Sequence, residues 1–352
     1  MVLSDRKVKV QKPRLRRRGV GAGGEVSVPV YERLQEGSIA AHVFRLMMRG
    51  VSMRDYRGML REMADTTGVS SSTVSREWIE ESASQLEALQ TRDLSAWDLL
   101  VVYLDGLVFG DHHVLAAVGV DAEGEKHVLG VASGSSENHR VAKDLLHNLI
   151  ERGLDPERPR LFVIDGSRAL CKAILQLFGP DTPVQWCRAH KLRNVLEHLP
   201  KDERDQTRSA MRAGWRLEEK EGREKLETLA SWLDHQDHRD AAASLREGMD
   251  EMFTVNRLEL PAALRRCLAT TNIIENPNGG VRRRTSRVTR WRDSSMILRW
   301  TAASFLDCES GFRKIMGYRD LWILKAKLDD LARARAENRP ETAVLAPSGE
   351  AA

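Results

Sequence analysis

The pattern of apolar and polar positions changes twice along the chain, and each change predicts a different kind of structure. From residue 31 to about residue 90 the apolar positions recur at helical spacing, which predicts a helical region. From Leu99 onward three β-rich runs follow, separated by short polar turns with glycine in or near them: LLVVYLDGLVFG, HHVLAAVGVD and EKHVLGVASG. These runs predict a three-stranded antiparallel meander.

Strands and helices alternate after the meander. The pattern predicts a helix over 141–152, the strand LFVID, a helix over 168–178 and the short strand PVQWC. Three meandering strands followed by strands that alternate with helices are typical of an α/β domain with the architecture of ribonuclease H. In that architecture the first strand and LFVID lie side by side.

The remaining segments complete the predicted domain organisation. Residues 200–265 are mixed-charge and helical, with Trp215, Trp232 and Phe253 embedded as packing residues, which predicts an all-helical insertion into a core that spans 96–199 and 266–332. A further helix is predicted over 318–332. Residues 1–30, basic and then glycine-rich, predict a flexible basic arm, and residues 333–352, poor in large apolar side chains, predict a disordered tail.

A helix-turn-helix is predicted within the helical region 31–95. The segment REMADTTGVSSSTVSREWI contains a short helix, a turn at Gly68 and a second helix that would bury Val69 and Val74. Ser72 and Arg76 would then face outward, where a recognition helix contacts DNA. The alternative is an ordinary helical hairpin with a serine-rich N-cap.

Charge is informative through its distribution. The chain has 352 residues, which favours two or three domains, and its formal charge of +4 is too small to indicate nucleic-acid binding by itself. Residues 6–18 carry eight basic side chains and no acid, and they are either a solvated arm or a DNA contact. A second cluster, predicted to lie on several faces of one helix, is expected to contact phosphates: Arg282, Arg283, Arg284, Arg287, Arg290 and Arg292.

Cysteine usage and hydropathy point to the cell interior. The four cysteines show no paired spacing, and no apolar stretch approaches the roughly 20 residues that a membrane span needs. The first residues lack the apolar region of a secretory signal. We therefore expect a reduced cytoplasmic protein with no membrane segment.

Two aspartates follow strongly apolar runs, and each is followed by glycine. Asp105 closes LLVVYLD and Asp165 closes LFVID. A carboxylate beside a buried strand is costly to desolvate, so it needs a partner such as a metal ion or a strong donor. The alternative is that both are turn residues in Asp-Gly steps, which are common in hairpins.

Several segments together resemble a known family. The motifs YLDG, VASGSSENHR, VIDGS, QWCRAHKLRNVLEHLP and TTNIIEN, followed by VTRWRD, are similar to those of the Mutator-type transposases of bacterial insertion sequences, over about residues 99–328. The resemblance implies that the catalytic Asp-Asp-Glu triad is Asp105, Asp165 and Glu275. It also implies that the family's Cys-x-x-His signature is Cys187 and His190, directly after Trp186, beside the site.

The resemblance implies a DDE transposase that binds terminal inverted repeats and cuts and joins DNA strands. Both steps are displacements at phosphorus, which a pair of Mg²⁺ or Mn²⁺ ions held by carboxylates can promote. We expect two ions per site, with Asp105 bridging them and Asp165 and Glu275 each completing one shell. The partners implied are terminal-repeat and target DNA and a second copy of the chain, in a homodimer or larger assembly associated with the nucleoid.

Glu275 has a competing interpretation. Asn272 and Glu275 match an N-x-x-E capping arrangement, in which the glutamate returns to the start of its helix. Pro277 disfavours helical geometry at the residue before it, and Gly279 and Gly280 weaken any helix that presents Glu275. The family usually has helix-compatible residues here, so a catalytically decayed copy that acts only as a DNA-binding protein is one alternative. A metal-dependent nuclease or resolvase of the same fold is the other enzymatic alternative, and a DNA-binding regulator would not require the carboxylates.

Cys187 and His190 also leave more than one interpretation open. A structural zinc site generally needs four ligands, and no second Cys or His pair lies nearby in the sequence, so zinc is not expected. The remaining hypotheses are packing at a helix start, or a role near the DNA end in which Trp186 stacks on a displaced base.

Overall fold

The computed structural model describes residues 39–50, 71–134 and 139–337, together with four two-residue strands near the N-terminus. Those strands form two antiparallel pairs, Val2–Leu3 with Arg6–Lys7 and Leu15–Arg16 with Glu25–Val26. The rest of the predicted basic arm lies outside the described residues.

A five-stranded mixed sheet forms the centre of the protein. Its strands are β1 (Leu99–Phe109), β2 (His112–Asp121), β3 (Lys126–Gly134), β4 (Leu161–Ile164) and β5 (Val184–Trp186), in the order β3-β2-β1-β4-β5. The first three strands pair antiparallel, which confirms the predicted meander. β4 pairs parallel with β1, as predicted, and β5 pairs parallel with β4. The α/β class is therefore confirmed.

Helices precede, connect and follow these strands. The first five are α1 (Ile39–Met48), α2 (Ser71–Thr91), α3 (His139–Glu151), α4 (Arg168–Phe178) and α5 (Arg188–Glu197). The helical segment after α5 contains α6 (Arg204–Arg216), α7 (Glu219–His235), α8 (Arg239–Arg246), a 3₁₀ turn (Glu251–Phe253), α9 (Thr254–Arg257) and α10 (Ala262–Leu268). The last are α11 (Asn272–Thr285), α12 (Ser294–Glu309), a 3₁₀ turn (Tyr318–Asp320) and α13 (Leu321–Glu337).

The sheet separates two apolar cores, because successive side chains of a strand point to opposite faces. Val102 and Leu104 of β1 pack in a cluster with residues of α3, α4 and the helical segment after α5. Val101 and Tyr103 pack in a second cluster with residues of α10 to α13. Trp215 and Phe253 are buried in the first cluster, which confirms them as packing residues.

The second helix of the predicted helix-turn-helix is α2, and it is tied to the C-terminal part of the chain. Val74 and Trp78 are buried with Met47 of α1 and Trp300 of α12, and the rings of Trp78 and Trp300 are 4.2 Å apart between centroids. The burial of Val74 agrees with the prediction. Gly68, Val69 and the first helix of the motif lie outside the described residues, so the helix-turn-helix stays a prediction.

The helix that carries Glu275 is continuous. α11 runs from Asn272 to Thr285 with Pro277 inside it. A Cβ at Gly280 would lie 2.5 Å from Cys308 Sγ on α12, so glycine at this position permits the close approach of the two helices. Pro277 and the glycines, which disfavour a helix locally, therefore do not interrupt it, because tertiary packing outweighs local propensity.

The C-terminal boundary also differs from the prediction. α13 continues to Glu337, so the first five residues of the segment predicted as a disordered tail, 333–337, are helical. Residues 338–352 lie outside the described part of the chain.

Candidate active site

Asp105 lies inside β1 rather than at its end. The strand continues to Phe109, and Asp105 is paired with Ala116 of β2. The predictions of a strand-end position and of a hairpin-turn aspartate are therefore both wrong for this residue. Period-two alternation places Asp105 on the same face as Tyr103 and Leu107, the face that α11 covers.

Helix α11 supplies a polar partner for Asp105. The helix buries an apolar stripe on the sheet that includes Ile274, Pro277 and Val281. Asn278 is on the same stripe, and its Nδ2 donates a hydrogen bond of 2.6 Å to Asp105 Oδ2. Asn278 Oδ1 is buried and has no hydrogen-bond partner among the described residues.

Asp165 directly follows β4, as predicted. Its Oδ1 accepts a hydrogen bond of 3.0 Å from the main-chain N–H of Ser167, so the carboxylate stabilises the turn into α4. Gly166 in this turn has a φ of +108°, which favours glycine. Leu104 of β1 is paired with Ile164 of β4, so the residues that follow them, Asp105 and Asp165, come from adjacent positions on neighbouring parallel strands.

Glu275 lies in the first turn of α11 and faces the start of α5. Its Oε1 accepts a hydrogen bond of 2.7 Å from Thr271 Oγ1 and lies 3.7 Å from His190 Nδ1. The predicted capping arrangement placed the helix start at Asn272, but Thr271 is the N-cap and its hydroxyl is the group that contacts the glutamate.

The carboxylates interact electrostatically. Asp105 is only 8% exposed. Its pKa is raised to about 7, mainly by burial and in addition by the charges of Asp165 and Glu275, while the charge of His190 acts in the opposite direction. Asp105 therefore lies close enough to both other acids of the predicted triad to interact with their charges.

Cys187, His190 and Thr271 form a second part of the site. Cys187 is the N-cap of α5, and His190 follows one turn later. The main-chain N–H of Thr271 donates to Cys187 Sγ (3.3 Å), and the Thr271 hydroxyl, which donates its single proton to Glu275, lies 3.2 Å from Cys187 Sγ and 3.3 Å from His190 Nδ1. One buried hydroxyl therefore contacts the thiol, the imidazole and, as above, the carboxylate of Glu275.

Both titratable groups of this pair are perturbed. Burial alone would raise the pKa of the Cys187 thiol, but hydrogen bonds from His190 and Thr271 outweigh it and hold the pKa below its usual value. The hydrogen bond with Cys187 raises the pKa of His190 to about 9 against the opposing effect of burial, and Asp105 and Glu275 act in the same direction as the bond. Each shift favours the charged form of its group relative to the free side chain.

Among the described residues, ligand atoms of Cys187, His190 and Glu275 all lie within 4.8 Å of one another. The structure thus brings Glu275 closest to the Cys-x-x-His pair, while Asp105 interacts with Glu275 and His190 at longer range and also with Asp165. Sequence reasoning missed Thr271 and Asn278. Thr271 lies in the TTNIIEN motif, four residues before Glu275, and Asn278 lies just after the motif, three residues after Glu275. Neither was identified, because the local sequence around a polar residue does not indicate its distant partner.

Trp186 is a packing residue in this conformation. It is 4% exposed, and Gly166 and Gly248 both pack closely against the indole. A Cβ at Gly248 would lie 2.0 Å from Trp186 Cε3. With the indole covered in this way, stacking on a displaced base is not available without a rearrangement.

The predicted basic helix is shorter than expected. α11 ends at Thr285, so Arg282, Arg283 and Arg284 are helical, whereas Arg287, Arg290 and Arg292 lie in the segment that follows. The prediction that all six arginines share one helix is wrong. Arg284 is also not free for phosphate, because its Nε donates to Asp307 Oδ2 at 2.8 Å. The other five are exposed.

A cleft of about 720 Å³ separates the arginine segment from α1 and α2. Arg287, Arg290 and Arg292 line one side of it, and Trp78 and Trp300 line its apolar part. Arg76 is exposed on α2, and Ser72 lies in the first turn of the same helix. The described part of the chain has no helix with the length and apolar character needed to cross a bilayer.

Comparison with known proteins identifies the class. The sequence profile described as "Transposase, Mutator family" matches residues 5–314. The chain therefore belongs to the Mutator family of transposases.

Three relatives illustrate the similarity. The chain is 27% identical over 304 residues to the transposase for insertion sequence element ISRM5 of Rhizobium meliloti, covering 84% of this chain and 75% of the relative. It is 26% identical to the transposase for IS256 in transposon Tn4001 of Staphylococcus aureus, covering 81% and 74%. It is 30% identical over 256 residues to the transposase for IS6120 of Mycolicibacterium smegmatis, covering 70% and 76%.

Proposed function

We propose that this protein is a DDE transposase of an insertion sequence, which binds the terminal repeats of its element and catalyses metal-dependent DNA strand cleavage and strand transfer. The observation that carries the proposal is the convergence of three acids: Asp105 in β1 and Asp165 directly after β4 occupy adjacent positions on neighbouring strands, and the charges of Asp165 and Glu275 both act on the Asp105 carboxylate. Membership of the Mutator family supports the substrate and the reaction.

A ribonuclease H-like core is part of the proposal. The strand order β3-β2-β1-β4-β5, with an antiparallel meander followed by two parallel strands, supports it. The carboxylates come from the middle of β1, from the end of β4 and from a helix that packs on β1, so three separate elements converge. The proposed all-helical insertion, residues 200–265, lies between the second and third acids, and helices α6 to α10 over 204–268 support it.

The donor set fits a hard divalent cation. Three carboxylates face one region, burial and mutual repulsion raise the pKa of Asp105, and Asn278 Oδ1 beside it is buried without a partner. A bound cation would relieve both the repulsion and the unsatisfied acceptor, and oxygen ligands are those that Mg²⁺ and Mn²⁺ prefer. We propose that Asp105, Asp165 and Glu275 hold two such ions, which supply charge neutralisation at the scissile phosphate.

The other residues position these three acids. Asn278 fixes one oxygen of Asp105, the N–H of Ser167 fixes one oxygen of Asp165, and Thr271 fixes one oxygen of Glu275. Each carboxylate keeps a second oxygen for a ligand. Burial of Asp105 excludes water from one side of the site, where electrostatic interactions are therefore strengthened.

DNA contact is proposed for the exposed basic segment. Five of these arginines are exposed: Arg282 and Arg283 in the last turn of the helix that carries Glu275, and Arg287, Arg290 and Arg292 in the segment after it. They would bring the phosphate backbone to the site. Ser72 and Arg76 on α2 are proposed to read the terminal repeat. Joining two DNA ends at one target implies at least two copies of the chain.

The continuous helix through Pro277 removes the sequence argument for a decayed copy. The test is a strand-cleavage assay on a terminal-repeat duplex with Mg²⁺, using the wild type and Asp105→Ala. We expect cleavage only by the wild type, with repeat binding retained by both proteins. Cleavage that survives in Asp105→Ala, or a wild type that cuts nothing, contradicts the proposal. Transfer of the cut strand to a target separates a transposase from a nuclease or resolvase.

A further inference from the structure

We propose that Cys187, His190 and Glu275 form a binding site for a thiophilic divalent cation such as Zn²⁺, which overlaps the carboxylate site for Mg²⁺ only at Glu275. One ligand atom of each residue lies within 4.8 Å of the other two, and the group contains the sulfur, nitrogen and oxygen donors that zinc accepts. The link to catalysis described below rests on the proposed function, whereas the site itself does not.

The three donors come from two elements that the fold holds together. Cys187 and His190 are three residues apart at the start of α5, so both side chains emerge on one side of the first turn. Glu275 comes from the first turn of α11, and its Oε1 lies 3.7 Å from His190 Nδ1. The sequence offered only the Cys-x-x-His pair, and the third ligand becomes visible only when α11 packs beside α5.

Thr271 orders the ligand atoms. Its hydroxyl lies 3.2 Å from Cys187 Sγ, 3.3 Å from His190 Nδ1 and 2.7 Å from Glu275 Oε1. Outer-shell hydrogen bonds of this kind orient ligands at metal sites. The side chains of His190 and Glu275 are 21% and 35% exposed, so an ion can enter from solvent, while Cys187 closes the buried side.

The donor types favour a soft cation over Mg²⁺. Thiolate and imidazole select Zn²⁺ or Cd²⁺, whereas Mg²⁺ prefers oxygen. The hydrogen bonds that Cys187 accepts favour its thiolate form, which is the form that binds metal. Three protein ligands leave a fourth position open, as in non-structural zinc sites.

Occupation of this site has a consequence for the proposed reaction. Glu275 is shared, because it is a ligand here and also the third acid of the carboxylate set. An ion held by Cys187 and His190 would engage Glu275, which already lies 3.7 Å from His190 Nδ1, and would compete with the carboxylate site for this ligand. Zn²⁺ is therefore expected to oppose Mg²⁺-dependent cleavage.

The test is a titration of the full-length protein with Cd²⁺ in the presence of excess Mg²⁺ and a phosphine reductant. Binding is monitored by the ultraviolet charge-transfer absorbance of the cadmium–thiolate bond. We expect one equivalent to bind with this band. Cys187→Ser should abolish the band. His190→Gln and Glu275→Gln should each weaken Cd²⁺ binding at least about 10-fold, because loss of even an outer-shell contact typically weakens metal binding by about 10-fold or more. Cys308→Ser is the matched control and should leave the band unchanged.

The outcomes separate the claims. If the band persists in Cys187→Ser, the proposed site is wrong. If the Cd²⁺ affinity is unchanged in Glu275→Gln, Glu275 is not the third ligand. His190→Gln, which keeps the thiol, decides the case if Cys187→Ser does not fold. The other cluster of potential ligands in the described residues, Asp121, Glu125 and His127, has no thiol and cannot produce the band. If the wild type still cleaves DNA at full Zn²⁺ occupancy, the proposed inhibition by Zn²⁺ is overturned. If the wild type does not cleave DNA in Mg²⁺ alone, the proposed function is contradicted, but the cadmium titration still tests the metal site.

Discussion

Asn278 donates a hydrogen bond of 2.6 Å to the carboxylate of Asp105, across 173 positions in the sequence. The bond joins the middle of the central strand to the helix that carries Glu275. It gives a buried carboxylate one fixed partner and leaves Asn278 Oδ1 as a second polar atom beside it. Asn278 therefore positions Asp105, and the two residues together form one part of the candidate site.

Replacing Asn278 with Ala should destabilise the metal-free protein by about 1–3 kcal/mol at a pH of about 8, because a buried carboxylate then loses its donor. The loss should be smaller at a pH of about 5, where Asp105 is protonated and its hydrogen bond is no longer charge-assisted. Urea unfolding measures both values. Asn276→Ala, an exposed asparagine on the same helix, is the control, and an equal loss in that variant would contradict the role of Asn278.

The raised pKa of Asp105 predicts a pH dependence of stability. Its folded-state value of about 7 lies above the ordinary 3.8, so the folded state binds this proton more tightly than the unfolded state does. The free energy of unfolding of the metal-free protein should therefore fall as the pH rises from about 4 through about 7. Asp105→Asn should remove this part of the fall.

The expected difference between wild type and Asp105→Asn is on the order of 2 kcal/mol from a pH of about 5 to about 8, because a pKa difference of one corresponds to about 1.4 kcal/mol. Thermal or urea unfolding at a series of pH values measures it. Asp111→Asn, at an exposed position in the turn after the same strand, should behave like the wild type. Parallel curves for wild type and Asp105→Asn would show that the carboxyl is not perturbed.

The two glycines of α11 should respond in opposite ways to alanine. At Gly279 the nearest atom to an added Cβ is the end of Arg283, at 3.6 Å, so Gly279→Ala should stabilise by about 0.5–1 kcal/mol. At Gly280 the added Cβ would lie 2.5 Å from Cys308 Sγ, so Gly280→Ala should destabilise by about 1–3 kcal/mol.

The double variant Gly280→Ala with Cys308→Ala checks the reason for this difference. If the sulfur is the obstacle, the double variant should recover part of the lost stability, and the interaction free energy from a double-mutant cycle should be clearly non-zero. Additive effects would mean that helix spacing is not set by this contact. Denaturant unfolding of the four proteins supplies the cycle.

The rate of cleavage should depend on the hydroxyl of Thr271 more than on the shape of this side chain. Thr271→Val keeps the volume but removes the donor to Glu275, so Mg²⁺-dependent cleavage should fall about tenfold or more, since a hydrogen bond to a charged group contributes about 1.5–3 kcal/mol. Thr271→Ser restores the hydroxyl and should recover most of the rate. Single-turnover cleavage of the terminal-repeat duplex measures both, and a valine variant as fast as the serine variant would contradict this role.

The exposed arginines should contribute affinity without sequence choice. Replacing Arg283 and Arg287 together with Gln should weaken binding to every duplex by a similar factor. It should also reduce the slope of log affinity against log salt concentration by about 1.8, since each phosphate contact contributes about 0.9. Arg239→Gln, an exposed arginine of the helical segment, is the control. A loss confined to one DNA sequence would contradict phosphate contact.

Local pattern was sufficient wherever a run of β-forming residues is bounded by turns. The β-rich runs LLVVYLDGLVFG and its neighbours predicted the meander, and the apolar run LFVID predicted β4, because a strand that is buried on both faces appears as a nearly continuous apolar run. The same runs singled out Asp105 and Asp165 as unusual carboxylates. Local pattern misplaced the end of β1, since the Asp-Gly step that signals a turn is also compatible with a strand that is buried on both faces.

Local propensity was also a poor guide at Pro277 and Gly280. Both residues disfavour an isolated helix, and yet α11 is continuous, because its stripe of Ile274, Pro277 and Val281 is buried on the sheet and Gly280 fits against Cys308. Packing free energy gained over a whole helix exceeds the cost of two unfavourable residues.

The sequence by itself determined the strand and helix succession and named the acids and the Cys-x-x-His pair, because these depend on spacing within short segments. Only the tertiary structure decided which polar groups meet. Asn278 reaches Asp105, and Thr271 reaches Cys187 and His190, through contacts between elements more than 80 positions apart in the chain. A hydrogen bond depends on the positions of two atoms in space, and no local periodicity records which distant donor will lie opposite a given carboxylate.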